Sequence, residues 1–153
     1  MNDLTVRFEN ASFSLRTGCI ILHNNCILAA TNIHDKAFYT VGGRTHLNES
    51  TEEAALREAF EETGRKFEID RHLFTHEWFF EVNGKKHHHI EFYYLMKGDA
   101  SSIKDGSPSD LKGFETIHWL PLDKLHEINL VPSFLKKALL NLPERPKHII
   151  SKE

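Results

Sequence analysis

The chain has 153 residues, the length of one domain, with 40% hydrophobic and 10% aromatic side chains, enough to bury a core and to exclude disorder as its main state. Nineteen basic residues against 22 acidic ones leave a formal charge of −3, which excludes the broad positive field of a nucleic-acid binder or of a protein drawn to anionic lipid. Two cysteines, Cys19 and Cys26, are too few for a disulfide framework. Their flanking strands set Cys19 opposite Ala29 and not Cys26, and both are expected as reduced thiols. The longest apolar runs, 19–22 and 26–30, fall far short of the ~18 residues that span a bilayer, and no basic segment with a following apolar stretch opens the chain. The expectation is a single cytoplasmic domain over residues 1–153 with no membrane or nucleic-acid partner.

In chain order, residues 14–22 and 26–33 are β-rich runs separated by His23-Asn24-Asn25, a hairpin signature. Residues 51–63 predict a helix: helix formers throughout, Ser50 and Glu53 spaced as a capping box, and Gly64 as a stop. Residues 75–82 and 87–96 predict strands around the turn Asn83-Gly84. Residues 98–113, with Ser101, Ser102, Gly106, Ser107, Pro108 and Ser109, predict a polar loop, either a lid or a mobile surface segment. Residues 116–120 read as a last strand, 133–141 as a helix between Pro132 and Pro143, and the chain from Glu144 as a peripheral tail. No repeat or linker divides the chain.

On the helix each residue advances ~100°, which sets Leu56, Ala59, Phe60 and Thr63 on one side and Glu58, Glu61 and Glu62 on the other. The apolar side is expected to dock on the sheet. Three carboxylates at i, i+3 and i+4 then repel one another unless a cation sits among them. Oxygen donors of this kind suit Mg²⁺ or Mn²⁺ over Zn²⁺ or copper, and Mg²⁺ commonly completes its shell with substrate phosphate and water. The bland alternative is a solvated acidic face that also takes in Glu52 and Glu53, since charge-rich exposed faces are common.

The surrounding pattern decides between them. Gly43-x5-Glu49-x7-Arg57-Glu58-Ala59-x-Glu61-Glu62-x-Gly64 closely resembles the signature box of the Nudix hydrolase family and matches each of its polar and glycine positions. The resemblance implies an α/β/α sandwich with a mixed sheet and a loop-helix-loop catalytic motif. It also implies a Mg²⁺-dependent pyrophosphohydrolase, with Mn²⁺ as a substitute, acting on a small nucleoside diphosphate derivative as a monomer or homodimer. Glu58, Glu61 and Glu62 are thereby implied as metal ligands with the Gly43 carbonyl beside them, and Arg57 with Glu49 as the pair that holds loop to helix. Gly42 and Gly64 are the supporting glycines, one for close backbone approach and one for φ > 0. The chain departs from the family at Val41, often proline, and at Ala59 and Arg65, usually bulky and aliphatic. Phe60 is expected to fill the core beside Ala59, and the stem of Arg65 to lie over apolar surface. The stretch Trp119-Leu120-Pro121-Leu122-Asp123-Lys124-Leu125 is similar to a late strand-turn-helix of many members. The proline and tyrosine that mark some subfamilies are missing between Arg65 and Phe92. An alternative from another class is a non-catalytic Nudix-fold module that senses a nucleotide or binds a partner. Such modules tend to lose box acids, and all three are present here.

Outside the box, Glu91 stands in the apolar run 90–96, where a carboxylate is out of place unless paired or functional. It is a candidate catalytic base, because metal-bound water must still lose a proton and glutamates serving as ligands are poor bases. The competing reading makes His89 and Glu91 a polar pair facing solvent at a sheet edge. His87-His88-His89 reads as plain strand more than as a zinc site. Trp78, Phe79, Phe80, Phe38 and Tyr39 could stack a base but are expected mainly in the core. Asp99, Asp105 and Asp110 are the next acids to consider.

Overall fold

The computed structural model describes every residue except Met1, Asp35, Asp110 and Leu111, so Asp110 lies outside the described residues. Strands β1 (Thr5–Arg7), β2 (Ala11–Ile20), β3 (Leu22–His23), β4 (Cys26–Asn32) and β5 (Phe38–Arg44) lead into helix α1 (Thr51–Thr63). Then come β6 (Glu68–Val82), β7 (Lys85–Lys97), β8 (Pro108–Ser109), β9 (Lys112–Pro121), a 3₁₀ segment (Leu122–Glu127), β10 (Leu130–Val131), α2 (Leu135–Ala138) and β11 (Lys147–Lys152). Among the described residues the strands form one sheet in the order β11-β6-β7-β2-β5-β4-β9-β8, with β1 on β2, β3 on β4 and β10 on β5. It is mixed: β2 with β7, β5 with β10 and β6 with β11 are parallel. No helix among the described residues is long and apolar enough to cross a membrane.

Alternation along the strands divides the core between two faces. Cys19, Leu28, Ala30, Val41 and Tyr94 pack with Ala55 and Ala59 of α1. Their chain neighbours Ile20, Ile27, Ala29 and Tyr93 pack on the other face with Leu125, Leu130 and Leu135. The architecture is therefore the expected α/β/α layering around a mixed sheet.

Helix α1 starts and stops where its caps dictate. Ser50 Oγ accepts from Glu53 N at 3.1 Å, Glu53 Oε2 accepts from Ser50 N at 2.8 Å, and Gly64, at φ 70°, donates its N–H to Phe60 O. Its docked face differs from the expected one. Ala54, Ala55, Glu58, Ala59, Glu62 and Thr63 are buried, whereas Leu56 and Phe60 are 38% and 49% exposed. Residues four apart stack along one side, and three alanines there let the helix lie close to the sheet. Glu58 and Glu62 thus enter on the docked side, and Phe67, not Phe60, fills the core.

Four other expectations change. The hairpin at Asn24-Asn25 pairs only Leu22 with Ile27 and His23 with Cys26. Beyond it β5 inserts between β2 and β4, so Cys19 stands opposite Val41, not Ala29. Both cysteines are free, and burial, with Glu62 and Glu58 nearby, pushes the Cys19 thiol up. The segment expected as a helix over 133–141 keeps only α2, because Ser133 Oγ donates to Glu153 Oε1 at 3.3 Å instead of capping and the first backbone bonds close i to i+3 turns. The tail is not peripheral: β11 runs along β6 from Lys147 opposite Phe74 to Lys152 opposite Phe79. The described part of loop 98–113 is pinned, with Trp119 Nε1 donating to Ile103 O at 2.8 Å and Trp119 N to Asp105 Oδ1 at 2.7 Å.

One buried histidine makes stability pH-dependent. His76 is fully buried, with Nε2 2.9 Å from Ser151 Oγ and Nδ1 without a hydrogen-bond partner among the described residues. Burial lowers its pKa against the opposing pull of Glu91 and Glu153. A histidine held neutral when folded but titrating near 6.5 when unfolded adds stability that is whole above about pH 6.5 and is lost as pH falls below it. The melting temperature is expected to drop between about pH 7.5 and 5.5, and His76→Phe to flatten that drop. The same slope in the variant would refute the assignment.

Candidate active site

The box closes around one guanidinium. Arg57 Nε donates to Glu49 Oε2 at 2.7 Å and Nη2 to Glu49 Oε1 at 3.0 Å, a two-point contact. Nη2 also reaches Arg44 O at 3.0 Å, while Nη1 donates to Glu58 Oε1 at 3.0 Å and Glu61 Oε2 at 3.2 Å. The loop after β5 is thus tied to the helix, and Glu49 Oε1 further accepts from His46 N at 2.9 Å. The hydrogen bond from Arg57 is the main reason that the Glu49 carboxyl is held below its ordinary range, and the same contact holds Arg57 more firmly protonated.

Buried Glu62 accepts at Oε1 from Gly42 N at 3.3 Å. Gly42 has φ 153°, a conformation that only glycine adopts freely. At Gly43 the requirement is space: a Cβ there would lie 2.3 Å from Glu58 Oε1, so bare backbone lets this carboxylate rest against the strand. Glu58, Glu61, Glu62 and the Gly43 carbonyl offer only oxygen, and Glu49, Glu58 and Glu61 share the one guanidinium of Arg57. That donor set fits a hard divalent cation. As the side chains stand, no three His, Cys, Asp or Glu residues among those described converge on an ion; Nη1 of Arg57 occupies the space between Glu58 and Glu61.

A cleft of about 240 Å³ opens beside Glu62, lined also by Arg16, Tyr39, Thr40, Gly42 and Glu115. Glu115 lines this cleft beside Glu62, and sequence reasoning missed it. It arrives through the pairing of β9 with β4, where it stands opposite Asn32, a long-range register with no local signature.

The structure sets Glu91 apart from the box. β7 lies inside the sheet between β6 and β2, so the solvent-facing edge reading does not hold. Glu91 is 7% exposed, on the face of Tyr93 and opposite the α1 face of Tyr94. Arg16 Nε lies 3.4 Å and His89 Nδ1 3.3 Å from its Oε1, and the Tyr93 hydroxyl donates to Oε2. Burial raises the pKa of Glu91, but the bond with His89, the charge of Arg16 and the Tyr93 hydroxyl outweigh it and hold the carboxyl below its ordinary value. Burial and the nearby Glu91 push the Tyr93 hydroxyl well up. The carboxylate borders a second cleft, of about 440 Å³, lined by Trp78, Phe80, His89, Pro132 and others, which shares Arg16, Tyr39, Thr40 and Gly42 with the first. His87 stacks on Phe80, and His88, on the other face, stacks on Phe79.

The NUDIX domain family model matches residues 13–142, which contain the whole box. No curated protein matches the chain. Several solved structures share its fold. The mutator MutT protein from Bacillus halodurans is 18% identical over 91% of this chain and 90% of its own, with a TM-score of 0.63. The MutT protein from Methanosarcina mazei Go1 is 20% identical over 86% and 92%, with a TM-score of 0.59. An ADP-ribose pyrophosphatase from Streptococcus suis 89-1591 is 15% identical over 90% and 98%, with a TM-score of 0.57. The domain match spans most of the sequence, the fold is shared and no polar box position is missing: the chain belongs to the Nudix hydrolase family.

Proposed function

We propose that the chain is a divalent-metal-dependent hydrolase that cleaves the phosphoanhydride bond of a nucleoside diphosphate linked to another group. The observation that carries the reading is the intact carboxylate set: Glu58 rests against Gly43 and shares Arg57 with Glu61, and Glu62 is seated on the Gly42 N–H. These residues and the Gly43 carbonyl would hold Mg²⁺ or Mn²⁺. Such an ion, when bound, neutralises phosphate charge and acidifies water. Arg57 would give up its Nη1 contacts to the ion while Nε and Nη2 keep Glu49 and the loop in place. Arg16, in the wall common to both clefts, pairs with the phosphates. Glu115, in the cleft with Glu62, takes up the proton released by the attacking water.

The test is phosphate release from a panel of nucleoside diphosphate derivatives, ADP-ribose included because a structural relative is named for it. Cleavage is expected with Mg²⁺ or Mn²⁺ and not with EDTA. Equal cleavage in EDTA would overturn the proposal, and nucleotide binding without any cleavage would make the chain a sensing module.

A further inference from the structure

The larger cleft differs in chemistry from the box. Trp78 and Phe80 of β6 lie with ring centroids 4.2 Å apart, and His89 stands edge-on to both, at 84° and 86°. Tyr39 and Pro132 extend this lining. Arg16 is the one Lys or Arg among its described lining residues, whereas Glu81, Glu91 and Glu153 are acids. Phosphate is therefore favoured at the end where Arg16 and Gly42 are shared with the smaller cleft and disfavoured among the aromatic rings, where a flat apolar face is the complementary shape.

Within that apolar lining Glu91 is a built feature. Its oxygens are held from three sides by Arg16, His89 and Tyr93. Tyr93 can lie there because β2 has Gly18 beneath it: a Cβ at Gly18 would come 2.4 Å from the Tyr93 ring. An ionised carboxylate accepts and never donates, with about four lone-pair positions. A ring that brings an N–H to it is welcomed, and one that brings a carbonyl is repelled.

From this geometry we infer that Glu91 is a recognition residue, and that the aromatic cleft takes a heterocyclic base with an exocyclic amino group in preference to uracil. Cytosine, adenine and guanine all carry such an amino donor, whereas uracil presents carbonyls on both sides of its single N–H. The inference rests on the proposed function for the diphosphate tail only. It also gives Glu91 a task that its place on the sheet face opposite α1 allows, contact with the base instead of activation of water.

The test uses phosphate-free nucleosides and the full chain in EDTA, with binding read by tryptophan fluorescence and calorimetry. Cytidine is expected to bind at least about tenfold tighter than uridine, since the two differ in the amino and carbonyl groups that face the carboxylate. Glu91→Gln, whose amide both donates and accepts, should bring that ratio to about one. Phe80→Leu removes a stacking face without touching the carboxylate, so it should weaken both nucleosides and leave the ratio intact. Equal binding of cytidine and uridine to the unaltered chain would overturn the inference, as would competition by ribose alone, a preserved ratio in a folded Glu91→Gln protein, or no effect of Phe80→Leu. Neither metal nor phosphate is present, so a failure of the hydrolysis test leaves these outcomes standing and the converse is equally true.

Discussion

Glu62→Gln is expected to lower kcat by on the order of 10²-fold or more, while the melting temperature holds or rises. The amide keeps an oxygen for the Gly42 N–H that Glu62 now accepts at 3.3 Å, so the seat of the helix against β5 survives. What it loses is one of three crowded negative charges, with Glu58 one turn before it and Glu61 adjacent. Like charges at this spacing cost stability, and removing one relieves the fold but weakens the hold on a divalent cation. Steady-state kinetics at saturating Mg²⁺, beside a thermal melt, separate the two effects. Loss of folding in the variant would mean that Glu62 is structural, and unchanged kcat would remove it from the site.

Arg57→Ala should be the most damaging single change to the architecture. It would strip the partner from Glu49, Glu58 and Glu61 at once and release the Arg44 carbonyl. Breaking a buried ion pair from one side costs about 3–5 kcal/mol, but Arg57 and Glu61 retain 20% and 34% side-chain exposure, and solvent screening reduces the figure to about 2–3 kcal/mol. For a chain of this size that is a fall of roughly 5–10 °C in melting temperature. Arg57→Lys should recover only part of it, because an ammonium cannot span both oxygens of Glu49. Calorimetric titration with Mn²⁺ is expected to show weakened metal binding in both variants. Equal stability and equal binding in all three proteins would refute the role.

These effects were legible from sequence to different depths. The caps of α1 and the Asn83-Gly84 turn are local: Ser50 with Glu53, Gly64, and two positive-φ residues between strands each settle their geometry within a few residues. The box could be read for the same reason, since its acids lie on one helix and one adjoining loop. The docked side of α1 could not, because Leu56 and Phe60 are as apolar as any core residue and only the closeness of β5 selects the small alanines over them. The insertion of β5 between β2 and β4, the burial of Glu91 and the arrival of Glu115 all depend on which distant strands pair. A run such as 147–152 alternates too weakly to announce that it will extend β6.

The parallel pairing of β2 with β7 joins partners 75 residues apart, as Ser12 and His87 are. Closing so long a loop costs entropy before any contact returns it, and folds dominated by such pairings form in milliseconds to seconds. α1, in contrast, completes its hydrogen bonds and both caps within its own segment. Its seat at Gly42 and Gly43 becomes rigid only when β5 joins β2, and the Arg16 wall only when β2 joins β7. The helix that carries the acids is therefore specified by its own segment, whereas the site they form depends on the long-range closure of the sheet around Arg57 and Glu49.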